Sequence, residues 1–188
     1  LNAEWVLSID IEDYFPSTPQ TMVREAMARL GYGDEGSSLI SSIACLNGAL
    51  AQGAPSSPVL SNICFSSFDE SLKRLAESKR VRLSRYADDI VFSGVGTYPD
   101  ELLAEATEVL RDSPWRISER KIDLAIRPSR RKVHGLLVHG DRLRITKGYR
   151  NRIRAYRHLL ASRSNLDPEF RNAIRGHLAY LGSVEFLE

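Results

Sequence analysis

The sequence predicts an α+β domain, an antiparallel sheet with helices packed on one face, closed by a short helical segment. Three observations carry this. Short apolar or alternating runs read as strands, apolar residues at helical spacing between them read as helices, and Gly, Pro, Asn and Ser clusters separate the two. With 188 residues, 43% of them apolar, the chain is long enough to bury one substantial core.

The first element is a buried strand from Trp5 to Ile9, which leads directly into Asp10, Glu12 and Asp13. Ser17 to Gln20 offers an N-cap and a proline in the first helical turn. Met22, Val23, Ala26, Met27 and Leu30 then form an apolar stripe that ends at Gly31. A second helix is expected over 36–46, and a long third one from Val59 to about Lys79, separated by the turn-rich segment Gln52-Gly-Ala-Pro-Ser-Ser-Pro58. The stretch from Arg82 to Ser93 is β-branched on both sides of Asp88 and Asp89, which predicts a hairpin with those aspartates at or near its tip. A helix over 99–110 is followed by strands at 121–126, 133–138 and 142–145, the last two joined through His139-Gly-Asp141. Two helices, about 148–161 and 167–181, end the chain.

The net charge of +2 conceals an asymmetry. Residues 1–115 carry 9 basic and 17 acidic side chains, and residues 116–188 carry 17 and 7. A basic second part suits contact with a polyanion, because Lys and Arg displace condensed counterions; a solvated basic surface is the alternative reading. Cys45 and Cys64 lack CxxC partners and sit among apolar residues, so free thiols are expected rather than a disulfide or zinc site. His134, His139, His158 and His177 show no metal-ligand spacing and receive no catalytic role. No apolar run reaches the roughly 20 residues of a membrane span, and the start has no signal-peptide layout, so a cytoplasmic protein is expected. The chain begins with Leu1 rather than Met and is read as a fragment.

Carboxylates gathered at a strand end and a hairpin tip repel one another unless a cation compensates. Magnesium suits such a place, since it takes hard oxygen ligands, commonly one or two carboxylates with waters and substrate phosphates. Two such ions about 4 Å apart activate an attacking hydroxyl and steady a leaving pyrophosphate, which is nucleotidyl transfer. Adjacent aspartates also occur as ordinary turn residues, and Tyr86-Ala-Asp-Asp89 alone is a short motif. Its setting between apolar strands, a costly place for charge, favours the chemical reading.

Ser8-Ile-Asp10-Ile-Glu-Asp-Tyr-Phe15-Pro-Ser17, then Gln52-Gly-Ala-Pro-Ser-Ser-Pro58 with Val-Leu-Ser-Asn62, then Arg85-Tyr-Ala-Asp-Asp-Ile-Val-Phe-Ser93 occur in that order. Together they resemble the palm motifs of reverse transcriptases, in particular the bacterial retron and group II intron types. Less specifically, Ile117-Ser-Glu-Arg-Lys121 resembles the motif whose lysine approaches the incoming triphosphate, and Val133-His-Gly-Leu-Leu-Val138 resembles the hairpin that grips the primer, so the resemblance spans nearly the whole chain. It implies a polymerase palm over 1–146 and a helical, thumb-like segment over 147–188. It also implies RNA-directed DNA polymerisation with two Mg2+ ions, for which Mn2+ can substitute.

By that resemblance Asp10, Asp88 and Asp89 are catalytic and hold the metals, with the Ile11 carbonyl assisting. Phe15 stands at the steric gate beneath the sugar, with a core phenylalanine as the alternative. Gln52 and Gly53 meet template or nucleotide, with an ordinary turn as the alternative. Lys121 approaches the triphosphate, although a solvated lysine fits as well. Tyr86 and, at helical spacing, Arg150, Arg154 and Arg157 are expected on nucleic acid, the arginines having an exposed charged face as their alternative. The implied partners are an RNA template, a DNA or RNA primer, deoxynucleoside triphosphates, and a structured noncoding RNA and effector protein, in a bacterial mobile or defence element.

Departures from the pattern matter. The family's fingers precede the first motif, whereas nine residues stand ahead of Asp10, so this chain alone is expected to bind nucleotide weakly. Val133-His-Gly135 stands where retron enzymes often have Val-Thr-Gly, and Ala51 where many relatives have proline. A palm kept as an RNA-binding or interaction module, and a palm-type polymerase making RNA or working without template, remain as alternatives; the aromatic Phe15 disfavours the last.

Overall fold

The computed structural model describes residues 2–138, 142–163 and 165–186. The linker expected at His139-Gly-Asp141 lies outside the described residues. The chain forms two compact units, one of Leu7–Leu124 and one of Leu1–Val6 with Ala125–Glu188.

The Leu7–Leu124 unit is built around β1 (Trp5–Glu12), whose Leu7, Ile9 and Ile11 side chains are buried. Each such burial stabilises by about 1.5–3 kcal/mol, which makes this strand the anchor of the sheet. After β1 come α1 (Gln20–Arg29), α2 (Asp34–Ala44), the short hairpin β2 (Cys45–Leu46) and β3 (Ala49–Leu50), and the long α3 (Ser57–Ser78). The hairpin of β4 (Arg82–Tyr86) and β5 (Asp89–Gly94), then α4 (Leu102–Val109) and β6 (Arg116–Ile117), complete the unit. Strand order is β4-β5-β1-β6, with β4 antiparallel to β5 and β6 antiparallel to β1. Helix α3 packs on α1, α4 and β4 and buries Leu60, Cys64, Phe65, Leu72 and Ala76. The fold is α+β, as expected.

Beside β1 lies an aromatic cluster. Trp115 is fully buried, its ring 4.7 Å from Phe65, 5.3 Å from Phe68 and 5.8 Å from Tyr14 between centroids. Its indole Nε1 donates to Thr18 Oγ1 at 3.1 Å and to the Tyr14 carbonyl at 3.3 Å. The loop that carries Phe15 is thereby tied to the core on both sides of that residue.

The second unit contains β7 (Asp123–Ile126) in part, and the antiparallel strands β8 (Lys132–Val133), β9 (Leu136–Leu137) and β10 (Arg144–Ile145). Helices α5 (Lys147–Ser162) and α6 (Pro168–Phe186) follow. Thr146 caps α5, its hydroxyl accepting from the Tyr149 amide at 3.3 Å. Ile145, Ile153, Leu181 and Val184 form the core of this unit. Among the described residues no helix is long and apolar enough to cross a membrane.

Several local expectations change. Ser17 does not cap α1: its hydroxyl turns back to the Glu12 carbonyl, Thr18 is committed to Tyr14, and Pro19 occupies the cap position. Helix α2 stops at Ala44, and Cys45 and Leu46 enter a hairpin whose turn is Asn47-Gly48, both at positive φ. Asn-Gly is the favoured pair for such a two-residue turn. Residues 133–138 are not one strand, because His134 and Gly135 adopt φ of 46° and 82° and fold them into the β8–β9 hairpin. Lys121 lies in a 3-10 turn (Glu119–Lys121) rather than in a strand, and β6 is an additional strand.

Replacing Trp115 with alanine empties the centre of the aromatic cluster. We expect a loss of about 3–5 kcal/mol in denaturant unfolding, the usual range for a buried tryptophan. A loss under about 1 kcal/mol contradicts this account of the core.

Candidate active site

Asp10 follows Ile9 on β1, where the alternation that buries Ile9 and Ile11 turns its side chain away from the core; it is 20% exposed. Its carbonyl accepts from the Ser118 amide at 2.8 Å, at the end of β6. Asp88 sits on the turn of the β4–β5 hairpin, since Tyr86 and Asp89 are register partners and only Ala87 and Asp88 lie between them. The Ile11 amide donates to the Asp88 carbonyl at 2.9 Å. With β5 and β1 paired as neighbours in the sheet, that bond continues their contact to the turn and sets the first-strand aspartate near the hairpin aspartate.

The cation nearest this place is supplied by the chain itself. Lys121 Nζ lies 2.7 Å from Asp10 Oδ1. Hydrogen bonding to Asp10, with the charges of Asp10, Asp88 and Glu12 behind it, raises the ammonium above the ordinary lysine value. Among the described residues no three His, Cys, Asp or Glu side chains are grouped to hold a metal ion. The donors Asp10 and Asp88 nevertheless fit magnesium's habit of taking one or two protein carboxylates and completing its shell with water and phosphate.

Phe15 is half-buried and lines an open cavity of about 620 Å³ with Pro58, Asn62, Asp69, Arg85, Tyr86, Ala87 and Asp88. Tyr86 is largely exposed. Gln52 and Gly53 lie in the exposed turn before α3. Gly53 has φ of +86°, while a Cβ there would meet nothing within 4 Å. Backbone conformation therefore accounts for this glycine. Arg150, Arg154 and Arg157 are exposed on α5, in the other unit, where they line a groove of about 340 Å³ with Arg144, Leu143, Ile145, Ile153, Leu181 and Val184. Cys64 is buried, and burial pushes its thiol up to about 11; Cys45 is free as well.

Sequence reasoning passed over Arg85 and Asp69. Arg85 Nε and Nη2 hold the two Asp69 carboxylate oxygens at 2.7 and 2.6 Å, and Nη1 donates to the Ala87 carbonyl at 2.8 Å. A signal existed: Asp69 falls between Phe68 and Leu72, next to the apolar stripe of α3, where an acid needs a partner.

The family model described as "Reverse transcriptase (RNA-dependent DNA polymerase)" matches residues 2–138. Among curated proteins, the retron Ec86 reverse transcriptase of Escherichia coli is 30% identical over 189 residues, covering 98% of this chain and 57% of that protein. The retron Mx65 reverse transcriptase of Myxococcus xanthus is 29% identical over 195 residues, covering 94% of this chain and 45% of that protein. The chain thus spans about half the length of the curated relatives it matches. In fold it is similar to a foamy viral protease-reverse transcriptase in complex with dsDNA, with a TM-score of 0.57, 16% identity, and 96% of this chain and 33% of that one covered. A Candida tropicalis apo telomerase gives 0.55 at 12% identity, over 71% of this chain and 33% of that one.

Because the Lys121 ammonium stands against Asp10, it competes with any added cation. Lys121→Met is expected to bind Mn2+ severalfold more tightly than the parent in calorimetric titration. Weaker or unchanged binding contradicts the competition.

Proposed function

The chain belongs to the reverse transcriptase (RNA-dependent DNA polymerase) family, and we propose that it carries the polymerising centre of an RNA-directed DNA polymerase from a retron-type or phage-defence element. The observation that carries this reading is the Ile11 to Asp88 hydrogen bond, which joins the two aspartate-bearing segments. The substrates are deoxynucleoside triphosphates, copied on an RNA template from a DNA or RNA primer. A structured noncoding RNA and an effector protein are the further partners of such an element.

In the reaction the primer 3′-hydroxyl attacks the α-phosphate of the nucleotide, a P–O bond forms, and pyrophosphate leaves. Asp10 and Asp88 would hold divalent cations, Mg2+ with Mn2+ as substitute, with Asp89 and the Ile11 carbonyl in support. Such ions would supply neutralisation of the developing phosphate charge and a lowered pKa for the attacking hydroxyl. Lys121 leaves Asp10 for the triphosphate, exchanging one anionic partner for another. Phe15, held by the Tyr14–Thr18 loop, packs beneath the sugar and excludes a 2′-hydroxyl. Gln52 and Gly53 meet nucleotide or template, and Tyr86 meets the primer end.

Residues 1–146 act as the palm and 147–188 as a thumb-like segment, whose Arg150, Arg154 and Arg157 follow the phosphate backbone. Phosphate contacts of this kind position a duplex without reading its sequence.

Primer extension on an RNA template with Mg2+ and deoxynucleotides tests the reading, using this chain and the full natural protein, each beside Asp88→Asn. Extension that Asp88→Asn abolishes is the expected result. RNA binding without extension by either protein favours a palm retained as an RNA-binding module.

A further inference from the structure

The turn that presents Asp88 is not a conformation its own residues select. Ala87, the first of its two central residues, has φ of +52°, in the left-handed region where glycine is usual. Something outside the turn has to hold it, and two hydrogen bonds reach it: the Ile11 amide to the Asp88 carbonyl and Arg85 Nη1 to the Ala87 carbonyl.

Arg85 is built in from every side. Its side chain is 8% exposed, its guanidinium carbon lies 4.4 Å from the centre of the Phe65 ring, and its fork grips both Asp69 oxygens. Nη1 also reaches Asn62 Oδ1 at 3.0 Å and Tyr14 Oη at 3.2 Å. Asn62, Phe65 and Asp69 recur at helical spacing along α3, and Tyr14 belongs to the loop that carries Phe15. One side chain therefore links the long helix, the Phe15 loop and the aspartate turn. Most of its donors are committed within the protein, and its charge is compensated by Asp69, so it is poorly suited to grip a phosphate. A lysine has no planar fork and cannot make these contacts together.

We infer that Arg85, anchored on Asp69, is a positioning residue that sets the Ala87–Asp88 turn and thereby aims Asp88 at the cation it holds. This rests on the proposed function in taking Asp88 as a cation ligand.

The test uses the full natural protein, with Arg85→Lys, Arg85→Met, Asp69→Asn and Asp88→Asn beside the parent. Free Mn2+ is followed by electron paramagnetic resonance, folding by thermal melting, and nucleotide KM and kcat by primer extension. The expected result is Mn2+ affinity about ten- to a hundredfold weaker in both Arg85 variants, as for other residues that orient a metal ligand from behind. Asp69→Asn is expected to weaken it less, kcat to fall, nucleotide KM to hold, and melting to stay cooperative. If Arg85→Met does not fold, Arg85→Lys and Asp69→Asn decide the matter. Parental Mn2+ affinity in folded Arg85 variants, or a raised nucleotide KM with Mn2+ affinity intact, overturns the positioning role. Equal Mn2+ binding by parent and Asp88→Asn instead removes the cation site itself, and the inference with it.

Discussion

The hydrogen bond from the Ile11 amide to the Asp88 carbonyl joins two segments that lie 77 positions apart in the sequence. It forms because β1 is pinned by Leu7, Ile9 and Ile11 in the core while the hairpin turn is pinned by Arg85. Each half is rigid for its own reason. The strand is held by apolar burial and the turn by a fork of charge-assisted hydrogen bonds, which are about twice as strong as neutral ones. Without both, the Asp10 of the strand and the Asp88 of the turn have nothing to hold their carboxylates toward one place.

Bringing carboxylates together has an electrostatic cost, and the chain meets it with Lys121. Like charges brought close near a protein surface repel, which tends to spread a turn that nothing restrains. The ammonium on Asp10 relieves this without a metal, and its exposed position on a short 3-10 turn lets it leave. On the proposed function, Lys121 would give up this place to an external cation. The aromatic cluster around Trp115 serves the other wall of the cavity by fixing the loop that carries Phe15.

Much of this was legible in the residues. The first strand leading into Asp10, which the structure carries on to Glu12, the long third helix and the hairpin turned at Asp88 all follow from apolar periodicity and turn chemistry. The Asn47-Gly48 hairpin was equally legible and is absent from the expected elements, because the apolar run into Leu46 also reads as helix. Strand β6 was not legible, and the β8–β9 turn was implied only by the resemblance of Val133–Val138 to a primer-gripping hairpin, since the apolar pattern reads those residues as one strand. Two-residue strands have no period to detect. The Arg85–Asp69 pair joins positions 16 apart on a strand and a helix, so only the assembled fold discloses it.

The arginine-lined groove on α5 belongs to the second unit, and its basic character matches the charge imbalance of residues 116–188. In the other unit, the proposed function requires a divalent cation where β1 meets the aspartate turn. Titrating Mn2+ into the isotope-labelled natural protein and following amide signals by nuclear magnetic resonance tests this directly. The account predicts that Ile11, Asp88 and Lys121 broaden together at the lowest Mn2+ concentrations. Broadening that begins instead at the acidic face of α4, around Glu105 and Glu108, contradicts it.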